Sequence, residues 1–351
     1  MRIGNHHLLQ KIETDSVFEI WLAQVPLSEG ASSKVILRRI LPSFLENEDE
    51  KHVTKFLHEK FFAQAQLASK LFHPNLVQIL DASTCDGEYF LSMEYIQGCD
   101  LGCAMRRSLE LQRRLPPAVA LRIVADVCAG LHYLHTWRGA QQSPLGLVHR
   151  EVSMQNIWLG FDGSVKLAGF GIARPHMSSG DINIEPLLYM SPEQTQSKSA
   201  LDARSDIFSL GVVLYALLTG VQPFKRGTLL ECMRAVAHEE PTKPSKLAKI
   251  SPQLDPLVMR ALAKNPEKRY PSAKALQMSI ETYLASNGLW AEASKKAVWM
   301  KELFSKSPKA QLPERKRGAP LPEEETVVVP KLSTPSKKAK FPENLELISA
   351  K

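Results

Sequence analysis

Long apolar runs are missing from this sequence. No stretch approaches the roughly 20 residues that cross a bilayer, and Met1 opens on a polar segment, not on the basic-then-apolar pattern of a secretory leader. A soluble, cytoplasmic protein without a membrane partner is therefore expected. Cysteine is scarce as well. Cys85, Cys99, Cys103, Cys128 and Cys232 form no Cys-x-x-Cys pair and have no histidine at zinc-ligand spacing, so reduced, mostly buried thiols and no metal site are expected. Neither sign of charge dominates: a net +7, partly gathered after Ser305, does not make a nucleic-acid-binding face, and nucleic acid is not an expected partner. What is present is core material. With 351 residues, 44% apolar and 23% charged, the chain has enough for about two domain-sized units.

The most informative stretch runs from Gly146 to Ala173 and reads GLVHREVSMQNIWLGFDGSVKLAGFGIA. Its His149-Arg150-Glu151 with Asn156, followed after a hairpin signal by Gly169-Phe170-Gly171, resembles the catalytic and metal-binding loops of eukaryotic-type Ser/Thr protein kinases. That family writes H-R-D-x-x-x-x-N and D-F-G at these positions. The frame survives while both aspartates are replaced. The chain thus resembles a degenerate member of the bacterial Hanks-type kinases, a pseudokinase. The resemblance implies an α+β, bilobal fold, with a strand-rich lobe over 1–97, a helical lobe over 98–304 and a disordered tail over 305–351.

Other motifs occur in family order. His7–Ile12 and Val17–Leu22 alternate as strands around a Glu13–Ser16 turn. The family's turn is G-x-G-x-x-G, whose bare backbone closes over ATP phosphates; Glu13, Asp15 and Phe18 stand at its three glycine positions. Two carboxylates about 4 Å from a triphosphate would each repel it by several kcal/mol at a dielectric near 20, unless the hairpin swings into solvent. The apolar strand Lys34–Ile40 matches V-A-I-K, with Arg38 for the lysine and Ile36 for the alanine. Arginine keeps the charge but not the shape. Strand alternation points Val35 and Leu37 one way and Ile36 and Arg38 the other. A helix is expected from Glu50 to Phe72, stopped before Pro74. Family spacing from His73-Pro74-Asn75 puts the helix residue that pairs with the strand lysine at Gln64, leaving at most an Arg38–Gln64 hydrogen bond. Two strands, Val77–Ala82 and Tyr89–Met93, follow around Asp86-Gly87, and Met93-Glu94-Tyr95-Ile96 resembles the gatekeeper and hinge.

In the helical lobe, Pro117–Trp137 and Asp206–Leu218 have helical apolar spacing, and Trp290–Phe304 reads as one further helix. By resemblance, His149, Arg150, Phe170, Glu193, Asp206 and Arg269 are structural positions. Asp206 would accept hydrogen bonds from the catalytic-loop backbone, and Arg269 would pair with Glu193. Glu185-Pro186 replaces the Gly-Thr that helps seat a substrate hydroxyl. Met93, Glu94, Ile96, Ile36 and Trp158 are the adenine-pocket positions. Ile36 above and Trp158 below would take up much of an adenine's thickness, or Trp158 turns outward and the pocket stays open. After Ser305 the composition cannot bury enough surface to offset chain entropy. There Glu323–Glu325, ahead of Thr326 and three valines, marks a phosphosite, a partner strand or an ordinary linker.

Phosphoryl transfer needs Mg²⁺ ligands, a cation on the phosphates and a carboxylate at the acceptor hydroxyl. Glu151 displaces its carboxylate by more than about 1 Å, Gly169 carries no oxygen, and Asn156 remains. The expectation is an inactive, cofactor-free regulatory or scaffolding protein in signalling, bound to protein partners, for which an active Ser/Thr kinase is one candidate. The alternative is a weak Ser/Thr kinase using ATP and Mg²⁺.

Overall fold

The computed structural model describes residues 1–14, 17–27, 31–47, 61–139, 143–170, 185–195 and 201–305. The tail after Ser305, with Thr326, and Asp15 in the hairpin lie outside the described residues. The N-terminal part is an antiparallel sheet of six strands. They are β1 (Arg2–Ile3), β2 (His6–Thr14), β3 (Phe18–Pro26), β4 (Ser32–Ile40), β5 (Ile79–Cys85) and β6 (Glu88–Glu94), in the order β1-β2-β3-β4-β6-β5. The β5–β6 hairpin turns on Asp86 and Gly87, both at positive φ (51° and 79°), the backbone that a two-residue type I′ turn requires.

Alternation gives the sheet two different faces. Val35 and Leu37 pack outward with Ile3, Ala23 and Phe90, whereas Ile36, Ile40 and Phe18 pack inward with Phe61 and Leu91. The outer face also carries an ion chain that the sequence reading missed: Glu19 accepts from Lys11 at 2.5 Å and Arg39 at 2.6 Å, and Arg39 reaches Glu88 at 2.9 Å. Burial alone would raise the Glu19 carboxyl, but these bonds and that from Trp21 outweigh it and hold it below its ordinary value. Between β4 and β5 lie α1 (Pro42–Asn47) and α2 (Ala63–Ala68). α2 stops short of the expected Phe72 because Lys70 and Leu71 turn back onto Leu67 and Ala68, dropping Leu71 into the core.

The remainder is helical around a small sheet of β7 (Gly98–Asp100), β8 (Ile157–Gly160) and β9 (Val165–Leu167). Gly98 is required there: a Cβ would sit 1.8 Å from the Leu159 carbonyl oxygen. The helices are α3 (Leu101–Glu110), α4 (Pro117–Thr136), α5 (Ala203–Thr219), α6 (Leu229–His238), α7 (Leu254–Ala261), α8 (Ala273–Ser286), α9 (Trp290–Ala293) and α10 (Lys296–Phe304). By length and mean hydropathy (1.3) α4 is, among the described residues, the one helix that could cross a membrane, contrary to the sequence reading, but 72% of that window is buried in the protein core. The expected single helix over 290–304 is broken at Ser294-Lys295, where the Ser294 hydroxyl donates to the Ala291 carbonyl and competes with the helical ladder. α10 closes the lobe. Trp299, Met300 and Leu303 are buried, Lys296 pairs with Asp126, and Phe304 meets Phe161 edge-on.

Arg269 anchors the lobe's interior. It forms a two-pronged bond to Glu193 (2.6 and 2.8 Å) and donates to the carbonyls of Ala263, Arg204 and Lys264. Burial pushes the Glu193 carboxyl up, but the bonds from Arg269 and Ser205 outweigh it and hold it below the usual glutamate range. Glu193→Ala strands the buried guanidinium, and denaturant melts should show a loss of about 3–5 kcal/mol. Because the folded-state pKa is depressed, the native protein's share of this stability is present above the unfolded glutamate value. It is lost as pH falls through the lower, folded value, and the variant should lack that acid limb.

Candidate functional site

The site is built on one carboxylate. Asp206, in the first turn of α5 and fully buried, accepts from the backbone N–H of His149 and of Arg150 (both 2.7 Å) and lies 2.8 Å from His135 Nε2. This grip holds Arg150 at φ 70°, a left-handed backbone that costs a non-glycine residue about 1–3 kcal/mol. His149 Nε2 lies 3.0 Å from the Ala168 carbonyl, which fixes the next loop against the first. Burial lowers the His149 pKa, so the ring is neutral at neutral pH. Asn156 donates from Nδ2 to the Glu151 carbonyl at 2.7 Å, and its own carbonyl accepts from Ala168 N–H. The Glu151 side chain is exposed.

Gly169 follows at φ 102°. A Cβ there would lie 3.0 Å from Asn156 Nδ2, so the position beside Asn156 is tight, and Gly169 brings no side chain to share a metal with it. Phe170 packs against both the helical core and the inner face of the sheet, and its ring is 6.2 Å from His149. Gln155 donates to Glu185, so on the acceptor side of the loop this amide is taken up by the residue that replaces the family's glycine.

Across the cleft, Arg38 is buried with its guanidinium 3.7 Å from the centre of the Phe18 ring. Phe18 in turn stacks on Phe61 at 6.1 Å. Gln64 points the other way. It lies on the exposed face of α2, while Phe61 and Ala65 face inward, so the Arg38–Gln64 bond that the spacing allows at most is not what caps the cation. The sequence held a usable signal. Phe18 pairs with Ile40 and Arg38 with Ile20, so Phe18 and Arg38 are diagonal neighbours on one face, within reach of long side chains.

Glu94 is turned away from the nucleotide side: it accepts from Gln78 N–H (2.7 Å) and Lys166 Nζ (2.8 Å), fastening the sheet to β9. Trp158 is half-buried and pairs with Lys166, which puts it on the β-sheet face opposite the core residues Ile157 and Leu159. Ile36 is half-buried, and Met93 and Ile96 are buried. Behind Met93 a small pocket is lined by Ala68 of α2, Gly169 and Phe170.

The chain matches the protein kinase domain over residues 43–280. It is 35% identical over 289 residues to the tyrosine-protein kinase MasK of Myxococcus xanthus, covering 81% of this chain and 44% of that protein. It is 36% identical over 231 residues to the serine/threonine-protein kinase PknB of Mycobacterium leprae, covering 63% and 35%. The chain thus spans less than half the length of these curated relatives. Among solved structures, the PknI kinase domain of Mycobacterium tuberculosis superposes with a TM-score of 0.58 at 25% identity, covering 80% of this chain and 97% of that one.

These relationships overturn the expectation of a cofactor-free protein, since protein kinases use ATP and Mg²⁺. Its physical basis, a cleft closed by Ile36 and Trp158, does not follow from two half-buried side chains. The residues fit the two groups unevenly. Arg38 has the charge for a phosphate, though Phe18 covers it. For the metal, the family's positions offer the Asn156 amide and no side chain at Gly169, and no cluster of three His, Cys, Asp or Glu suited to a metal occurs among the described residues.

Phe18→Gly should uncover Arg38. ATP affinity, read from melting shifts, is expected to rise about tenfold while adenosine affinity does not, the cation–π contact being worth about 1–2 kcal/mol. The variant loses roughly 3–5 kcal/mol of stability with its buried ring. An equal gain for adenosine and ATP would show that Phe18 does not guard the phosphates.

With its motifs in order on a kinase fold and the kinase-domain match over residues 43–280, the chain belongs to the protein kinase family.

Proposed function

We propose that this chain is a cytoplasmic pseudokinase: a kinase-family protein that works by binding protein partners in signalling, with phosphoryl transfer disabled. The observation that carries this reading is Gly169, which stands at positive φ beside Asn156 and brings no side chain where transfer needs a metal-holding carboxylate. Bound Mg·ATP supplies the transferable phosphoryl group and the charge that neutralises it. The reading concerns transfer and not nucleotide use. Glu151, longer by a methylene and exposed, and Gln155, engaged by Glu185, weaken the acceptor side as well. These losses fall on one assembly and do not add.

A second reading is an active protein kinase, favoured by the curated kinases at 35–36% identity and by an intact loop clamp at Asp206. Autophosphorylation and transfer to generic Ser/Thr and Tyr acceptors, with Mg²⁺ or Mn²⁺, separate the two. The pseudokinase reading expects no incorporation of labelled phosphate. Incorporation that disappears in Glu151→Ala would establish the kinase reading instead.

A further inference from the structure

Four arginines fall within nine residues where α3 ends. Arg106 and Arg107 lie on the helix, and Arg113 and Arg114 follow its last turn. That turn is built to hold them in place. Gln112 stands at φ 51°, a left-handed backbone that side chains resist. Arg113 is pinned to Ser108 twice: its N–H donates to the Ser108 carbonyl at 2.8 Å, and the Ser108 hydroxyl donates to the Arg113 carbonyl.

The four are not equally engaged. Arg107 donates to Glu110 at 2.8 Å and to the Leu303 carbonyl at 3.3 Å, and Arg113 donates to Glu302 of α10 at 3.0 Å. Glu110 and Glu302 are exposed, and ion pairs of that kind contribute little and exchange readily. Arg106 and Arg114 enter no ion pair among the described residues. Arg114 is exposed. Arg106 is half-buried, its Nη1 3.4 Å from where a Cβ on Gly102 would stand, and the Gln155 amide nitrogen lies 3.6 Å from the same point. Asp100 Oδ1, 3.1 Å from that point, is committed to the Cys103 N–H. The row thus begins beside the catalytic loop and runs away along α3, with Leu109, 47% exposed, between its ends.

We propose that this edge of α3 is the docking surface for an acidic peptide of a partner protein, with carboxylates on Arg106, Arg113 and Arg114 and an apolar side chain on Leu109. The inference rests on the reading of this chain as a binder of protein partners, and it names the partner's chemistry. A planar guanidinium fork matches a carboxylate two bonds at a time, and arginine is enriched at protein interfaces. The protein's own Glu110 and Glu302 already sit on Arg107 and Arg113 as such a peptide would. The same two glutamates interrupt the row. A uniform polyanion, such as RNA or an anionic bilayer, meets repulsion there that a peptide of spaced charges avoids.

The test uses the full chain and short fluorescein-labelled peptides of Leu and Gly with Glu, Gln or Lys, free of Ser, Thr and Tyr so that binding is read without transfer. Fluorescence anisotropy should show the Glu peptide bound about tenfold or more tightly than the Gln peptide, the difference shrinking with added salt. Arg106→Glu with Arg114→Glu should remove that preference and turn it toward the Lys peptide. Neither side chain is paired, so the melting temperature should hold. If the double variant melts early, Arg114→Glu alone, at an exposed side chain, should still lower the preference severalfold. Equal binding of the Glu and Gln peptides, no binding of either, or a preference that survives charge reversal overturns the proposal. So does tighter, equally variant-sensitive binding of oligouridine RNA or phosphatidylglycerol vesicles. Labelled-phosphate transfer is measured apart: a chain that transfers phosphate and keeps the peptide preference sinks the pseudokinase reading and leaves this one standing, and a chain that does neither does the reverse.

Discussion

The catalytic loop keeps its shape because Asp206 pays for its strain. A carboxylate removed from water is costly unless its oxygens are fully engaged; here two backbone N–H groups and His135 engage them. In return the loop holds Arg150 in a left-handed conformation, and everything downstream inherits its position. His149 touches Ala168, Ala168 bonds Asn156, and Phe170 lies across both cores. The Glu193–Arg269 bond serves the same end deeper in the lobe. A chain with these two anchors folds as a kinase whatever stands at the reacting positions.

The reacting positions have been turned to packing. Where phosphates would be cradled, Phe18 stacks between Arg38 and Phe61, and the cation is held by a ring face. Where a metal would be gripped, Gly169 brings no side chain and the Asn156 amide bonds the Glu151 carbonyl. Where an acceptor hydroxyl would sit, Glu185 takes the Gln155 amide. Each change exchanges a group that acts on a ligand for one satisfied within the protein.

Much of this was legible in the residues because scaffold motifs are local and ordered. Asp206, Arg269 and the His149 loop sit at recognisable spacing, and the alternation Val35–Leu37 against Ile36–Arg38 assigned two faces to one strand. The parts that were not legible depend on tertiary choice. Gln64 lies in α2, but whether it faces Arg38 depends on how the helix rolls, and Phe61 has the larger apolar surface to bury. The break at Ser294-Lys295 and the buried membrane-length helix α4 likewise depend on what packs against them.

The central claim is that the fold is kept while transfer is lost at Gly169 and Glu151. Single-turnover transfer from Mg·ATP, measured on the native chain beside a Gly169→Asp, Glu151→Asp variant, tests it most directly. Active kinases turn over at about 1–100 s⁻¹. The account predicts a native rate at least about a thousandfold below that range and a higher rate in the variant; a native rate inside the range would contradict it.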